Sequence, residues 1–294
     1  MNPASALVLS LLLAQAPAPL DAYRKATDAW HAERLAELRQ EDGWLSLIGR
    51  DWLQPGENSL GSAPGSAVLL PGRAGPAQAG AFIVEGQTVR FRPFPGSGLL
   101  LNGKPATETV LKTEEDRTPD ILSAGRVRLT LLHRQGRFAV RLRDPEAPTR
   151  KAFRGVDRYP VDPTWRAVAD FSAYPAPQPR QITTVLGTTT TMSAPGLLRF
   201  RLGGREFTLE PMLLDPEHPE LFIVFKDGTS GHGTYPAGRF LYAEMPKDGK
   251  VVLDFNRAIN PPCAFTTFAT CPLPPRQNQL DLAIPAGEKD PGPH

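Results

Sequence analysis

Proline and glycine constrain this chain more than any other feature. Thirty-two prolines and 26 glycines are scattered over 294 residues, about a fifth of the sequence against roughly 12% in average usage. Proline fixes φ and removes a backbone donor, so breakers at this density exclude long helices. No three-residue glycine period exists, which excludes collagen. The apolar share is 40%, enough for a chain of this length to bury a real core. Short runs of β-branched and aromatic residues separated by Gly, Pro and Asn then predict an all-β protein. Thirty-three basic against 31 acidic side chains leave a net charge of +2, so no global field is available to collect nucleic acid or acidic lipid. Two cysteines exclude a four-thiolate zinc site and a disulfide-dense miniprotein. No metal and no cofactor is expected.

The first 20 residues read as a leader. Ala6 to Ala14 is an apolar run, too short to span about 30 Å of hydrocarbon but suited to the core of a secretory signal. Small residues follow at Ala14, Ala16 and Ala18. The run has no preceding Lys or Arg, and Pro17 and Pro19 block cleavage after Ala16 or Ala18, leaving Ala14. A disordered or membrane-tethering leader is the alternative. Export predicts a periplasmic or secreted protein with no membrane span in the mature chain.

One helix is expected over 21–42, capped by Asp21, with Tyr23, Ala26, Trp30, Leu35 and Leu38 as its apolar stripe and Gly43 as its stop. Two β units follow. The first, over 50–150, reads as a sandwich: Ala81 to Val84 pairs with Thr88 to Phe91, Val127 to Leu132 pairs with Phe138 to Leu142, and Asn102-Gly103 is a strong turn signal. Asp144 to Pro179 suits an ordered connection rich in aromatics. The second unit, over 165–294, is a sandwich or barrel whose strands resume at Gln181 to Leu186 and include Leu197 to Leu202, Glu206 to Pro211, Leu221 to Phe225, Arg239 to Ala243 and Val251 to Phe255.

The segment from Asp254 to Asn278 is unlike ordinary loop sequence. It holds Asn256, Asn260 and Asn278, both cysteines and five prolines. Proline lowers the entropy lost on ordering, and asparagine supplies a donor and an acceptor for irregular backbone. A long rigid segment of this kind either builds a site or seals a core. Thr234-Tyr-Pro-Ala-Gly-Arg239-Phe-Leu, Asp254-Phe-Asn256-Arg-Ala-Ile-Asn260-Pro-Pro-Cys263-Ala-Phe, Thr270-Cys271-Pro-Leu-Pro-Pro and Ala286-Gly-Glu288-Lys289 resemble the bacterial and archaeal family catalogued as domain of unknown function 1684. Trp44-Leu-Ser-Leu and Asn58-Ser-Leu-Gly-Ser62 extend the likeness to nearly everything from Tyr23 to Lys289, with Arg50 where family strings carry an apolar residue. The family implies no activity. Asn58 to Arg143 is also similar in order to a forkhead-associated sandwich. Ser62 follows the glycine where that family's arginine stands, and Ala79-Gly80-Ala81 lacks its Ser-x-x-His pair, so phosphothreonine recognition is not expected.

Cys263 and Cys271 enclose seven residues, and a disulfide there would contribute on the order of 2.5 kcal/mol. Free buried thiols, a catalytic thiolate served by His218 or His232, or a metal ligand pair are the other readings. The glycine-rich loop Asp227 to Tyr235 lacks the Gly-Lys-Ser/Thr ending of a phosphate loop. Asp227 is placed to orient His232 as a general base, or the two shape a turn. Asp254 and Asn256, two apart on a strand, share a face. With Arg239, Tyr235, Asn260 and Asn278 they make a cluster for a small polar or anionic ligand, or else a buried network that pins the proline segment. The expected function is therefore a cell-envelope protein binding a small molecule or an envelope protein. The alternatives are a hydrolase using His232, Asp227 and Arg239, and a structural scaffold.

Overall fold

The computed structural model describes residues 20–72, 74–134, 136–214 and 219–292. The expected leader and His218 lie outside the described residues. The fold is all-β, with three sheets and one long N-terminal helix among the described residues.

The helix runs Leu20–Leu38, four residues short of the expected end. Its backbone turns away over 39–42, and Gly43 packs so closely that a Cβ would lie 3.1 Å from the Glu37 carbonyl. Thr27, Arg34 and Leu38 are buried, with Trp30 and Leu35 half-buried. That three- to four-residue spacing is one helical stripe, but polar Thr27 takes the place expected of Ala26, which is exposed. Its hydroxyl donates to the Tyr23 carbonyl at 3.0 Å, so burial leaves nothing unpaired.

Residues 47–143 form a sandwich of a six-stranded and a five-stranded sheet. Both expected hairpins are present, as Gly80–Glu85 with Thr88–Pro93 and Val127–Arg134 with Arg137–Arg143. Between the sheets lie Phe82, Phe91, Leu122, Leu129 and Leu142, all nearly inaccessible. Each such side chain contributes about 1.5–3 kcal/mol by leaving water.

The third sheet has seven strands and curls until Arg239–Glu244 at one edge approaches Lys250–Asp254 at the other, making a near-barrel. Its strand Arg166–Thr183 overturns the expectation of a connection reaching Pro179. The prolines are tolerated because the ladder with Thr189–Leu202 breaks register between Ala173 and Gln178, and beyond that break the strand pairs on one side only. The partner strand begins at Thr189, so Thr189, Thr190 and Thr191 belong to it.

Alternation sorts the near-barrel's residues to two faces. Leu221, Ile223, Phe225, Leu241, Leu253 and Phe255 fill the interior. Phe222, Val224 and Phe240 face outward, where Ile259, Cys263, Ala269 and Cys271 of the proline segment cover them. The segment has no long element, only short helical turns at Phe255–Arg257, Pro262–Ala264 and Arg276–Asn278. It is held by single bridges such as Phe240 with Ile259 and Lys226 with Gln279.

Candidate functional site

The predicted polar cluster is brought together in part and is buried. Arg239 is fully enclosed at the end of the near-barrel interior. Its Nη2 donates to Asp227 Oδ2 at 2.6 Å and to the Ile284 carbonyl at 3.1 Å, Nη1 donates to the Ala286 carbonyl, and the guanidinium lies 5.1 Å from the Phe225 ring centroid. Burial pulls the Arg239 pKa down, and Asp227 opposes that pull.

The remaining Asp227 oxygen is equally committed. Oδ1 accepts from the Thr229 amide at 2.7 Å, the Thr229 hydroxyl at 2.6 Å and the Ile284 amide at 3.3 Å. Asp227 therefore does not orient His232, which is exposed on the loop and makes no side-chain hydrogen bond among the described residues. The expected base and orienter pair is overturned because a buried guanidinium outcompetes a solvated imidazole for the carboxylate.

The asparagines pin the segment. Asn278 accepts from the Glu210 amide at 2.8 Å and donates to the Glu210 and Val224 carbonyls, each at 3.0 Å. Asn256 donates to the Asp162 carbonyl at 2.8 Å, to Tyr23 Oη at 3.0 Å and to Asp254 Oδ1 at 3.2 Å, while Tyr23 donates to the same Asp254 oxygen at 2.7 Å. Asn256 lies in the helical turn that follows the strand rather than on the strand with Asp254, and the two meet through Tyr23, tying the helix to the barrel. Tyr235 donates to the Cys263 carbonyl at 2.9 Å, and burial pushes its hydroxyl pKa up. Cys263 and Cys271 are free buried thiols, not the expected disulfide. The Cys263 amide donates to Cys271 Sγ at 3.2 Å, so the two ends of this loop are joined without a covalent bond.

A large concave surface lies elsewhere. A cleft of about 1860 Å³ opens between the helix, the sandwich and the outer face of the near-barrel. The helix contributes Trp30, Glu33, Arg34 and Glu37; the sandwich side contributes Trp44, Trp52, Arg134 and Arg141. Phe222, Phe240, Tyr242, Asn260 and Cys271 form the remaining wall. Arg34 bridges helix and segment, with Nε 3.5 Å from Glu288 Oε1 and Nη1 3.3 Å from Glu37. Burial raises the Glu288 pKa, and Arg34 counteracts it. Arg50 reaches from the sandwich to the Phe268 and Ala269 carbonyls at 2.9 and 3.0 Å, so the residue that departs from the family strings holds two walls together.

Of the predicted site residues, Asn260 lines the cleft with Cys271; Arg239, Asp227, His232 and Asn278 do not. The missed residues had one legible signal. Trp30, Glu33, Arg34 and Glu37 share a helix face by their spacing. Nothing local marks Trp44, Arg141 or Tyr242 as their neighbours.

A family model described as "Protein of unknown function (DUF1684)" matches residues 151–289. The match takes in the near-barrel and proline segment, and leaves outside it the helix and sandwich that carry the Trp44 and Asn58 strings. No curated protein matches the chain. Among solved structures, the solution structure of an uncharacterised protein of Haloarcula marismortui is similar, at 32% identity over 48% of this chain and 78% of that one, with a TM-score of 0.41.

Proposed function

We propose that the protein binds a small polar ligand in the cleft between helix, sandwich and near-barrel; the family of unknown function (DUF1684) whose model matches residues 151–289 brings no activity with it. One observation carries the reading: three separate parts of the chain converge on a concave surface of about 1860 Å³ that holds three of the four tryptophans. Ligand sites favour such junctions, where apolar walls carry a few placed polar groups. The hydrolase alternative has lost its geometric support with the separation of Asp227 from His232. The apolar run Ala6 to Ala14 supports an envelope location for this activity.

Native mass spectrometry of the full chain isolated from its own host tests the reading. The expected result is a retained small molecule, released on unfolding and absent from Thr190→Trp, which fills the cleft from its strand wall. A protein that carries nothing, or one whose cargo survives that substitution, sinks the cleft reading and leaves a scaffold. Fractionation of the host should place the chain outside the cytoplasm; a cytoplasmic chain removes the envelope assignment.

A further inference from the structure

The outer face of the sandwich's six-stranded sheet is rich in arginine. Side chains alternate along a strand, and because Phe138, Val140 and Leu142 point into the sandwich core, Arg137, Arg141 and Arg143 point out. Neighbouring strands add Arg50, Arg128 and Arg134. Three cross-strand pairs set guanidinium against guanidinium: Arg50 opposite Arg141, Arg128 opposite Arg143 and Arg134 opposite Arg137. Like charges directly opposite each other destabilise a sheet.

Carboxylates answer only part of that charge. Arg128 has Glu41 at 3.6 Å, Arg134 has Glu115, and the single carboxylate of Glu114 serves both Arg141 and Arg143. Arg50 donates to two backbone carbonyls, and Arg137 lies 4.7 Å from the Trp52 ring centroid. Neither has a carboxylate partner among the described residues.

Arg141 is the one of the six that is buried, at 5% exposure, and it lines the cleft. Its Nη1 donates to Glu114 Oε2, and its Nε is enclosed without an acceptor. Nη2 has no acceptor among the described residues and is not enclosed, so it is the part of the guanidinium left open to the cleft. The group lies 5.4 Å from the Trp44 ring centroid. Burial depresses the Arg141 pKa and Glu114 opposes this, but Arg143 and Arg134 add to the depression. A second anion here would offset that repulsion.

The other walls limit what such an anion can be attached to. Trp44 packs with Phe222 and Phe240 beside Arg141, an apolar surface for the body of a ligand. Glu33 on the helix and Glu220 on the near-barrel disfavour a second negative charge. Resting on the cleft reading, we propose that the ligand is a monocarboxylate with an apolar body, its carboxylate held by Arg141 Nη2 and its body lying along Trp44, Phe222 and Phe240. The planar guanidinium suits the planar carboxylate.

Tryptophan fluorescence and calorimetric titration of the full chain test this by comparing octanoate with octylammonium, octanol and inorganic phosphate. Octanoate is expected to bind saturably and at least about tenfold more tightly than the other three. Arg141→Lys keeps a cation beside Glu114 but removes the planar fork. It should weaken octanoate about tenfold, and His232→Ala, outside the cleft, should leave it unchanged. Octanol or octylammonium binding as tightly as octanoate overturns the carboxylate and leaves the cleft reading standing. Phosphate binding as tightly overturns the apolar body. Octanoate binding that ignores Arg141→Lys, or that survives Thr190→Trp, overturns the assignment as well. Should Arg141→Lys not fold, the four probes on the unaltered chain decide. If none of them binds, the monocarboxylate inference falls, and a host-derived cargo lost in Thr190→Trp still upholds the cleft.

Discussion

Arg239 and Asp227 meet at 2.6 Å with neither side chain exposed to solvent. Taking two charges out of water costs several kcal/mol per ion, recovered only when every remaining donor and acceptor is engaged. Here Thr229, Ile284 and Ala286 engage Asp227 Oδ1 and both Arg239 Nη atoms, while Arg239 Nε is buried without an acceptor, and the pair fastens the terminal segment to the loop over 227–235. Arg239→Met is expected to destabilise the protein by about 3–5 kcal/mol, because it leaves Asp227 buried and unpaired. Chemical denaturation measures it, and the double variant with Asp227→Leu should regain part of the loss. A neutral single substitution would show that the pair is not closed to water.

Asn278 replaces a missing piece of sheet. Its amide satisfies one donor and two acceptors of Glu210 and Val224. Asn278→Ala strands all three, and with about 1–3 kcal/mol for each unsatisfied buried group the equilibrium stability should fall by at least about 3 kcal/mol. Hydrogen exchange of the Glu210 amide provides the local readout: it should become fast in the variant.

Gly287 and Gly204 both have left-handed backbone, at φ +75° and +78°. A Cβ at Gly287 would lie 2.5 Å from the Ala258 carbonyl oxygen, whereas one at Gly204 meets nothing within 4 Å. Gly204→Ala should cost about 1 kcal/mol from backbone strain alone. Gly287→Ala should cost more than about 2 kcal/mol, since the segment must also move. Equal thermal midpoints for the two variants would contradict the close approach.

Glu114 carries an acid dependence with a definite sign. Burial pushes its pKa up, but Arg141, the Thr130 hydroxyl and Arg143 outweigh burial and hold it below the usual carboxylate range. A depressed carboxylate stabilises the fold fully above its unfolded pKa of about 4.3 and loses that contribution as pH falls through the folded value. Denaturation midpoints of the wild type should therefore drop between about pH 5 and pH 3, and Glu114→Gln should flatten that slope while lowering stability at neutral pH. An unchanged slope assigns the acid sensitivity to other carboxylates.

The two thiols should behave differently from a surface pair. Cys271 is held well above the usual thiol range, by its hydrogen bond with Cys263 and by burial. Labelling with a thiol reagent at pH 8 should be slow in the folded protein and reach two equivalents after unfolding. Fewer than two equivalents in unfolded, unreduced protein would indicate oxidation and restore the disulfide expectation.

Much of the fold was legible in the residues. Glu85-Gly86-Gln87 and Gly203-Gly204 mark turns by tolerance of positive φ, and both hairpins form where those signals stand. The 18-residue strand from Arg166 was hidden because Pro175, Pro177 and Pro179 argue against any strand, and only one-sided pairing after a register break accommodates them. The asparagine-rich segment stands out in the sequence as unusual and leaves two readings open. Whether such a network lines a pocket or seals a core depends on what lies on its other side, which is long-range information. For Arg239 that other side is Phe225 and the Ala286 carbonyl. The cleft was not legible, because Glu37 and Glu220 become neighbours of Tyr242 only when helix and sheet have met.

The clasp of Tyr23 on Asp254 spans 231 positions of chain, and Arg34 meets Glu288 across a still longer interval. During synthesis the helix emerges before the sandwich, and its docking partners emerge after it. The cleft therefore closes only after the near-barrel has been made, and a product terminated within the sandwich, however well that part folds, would lack the wall against which the helix closes.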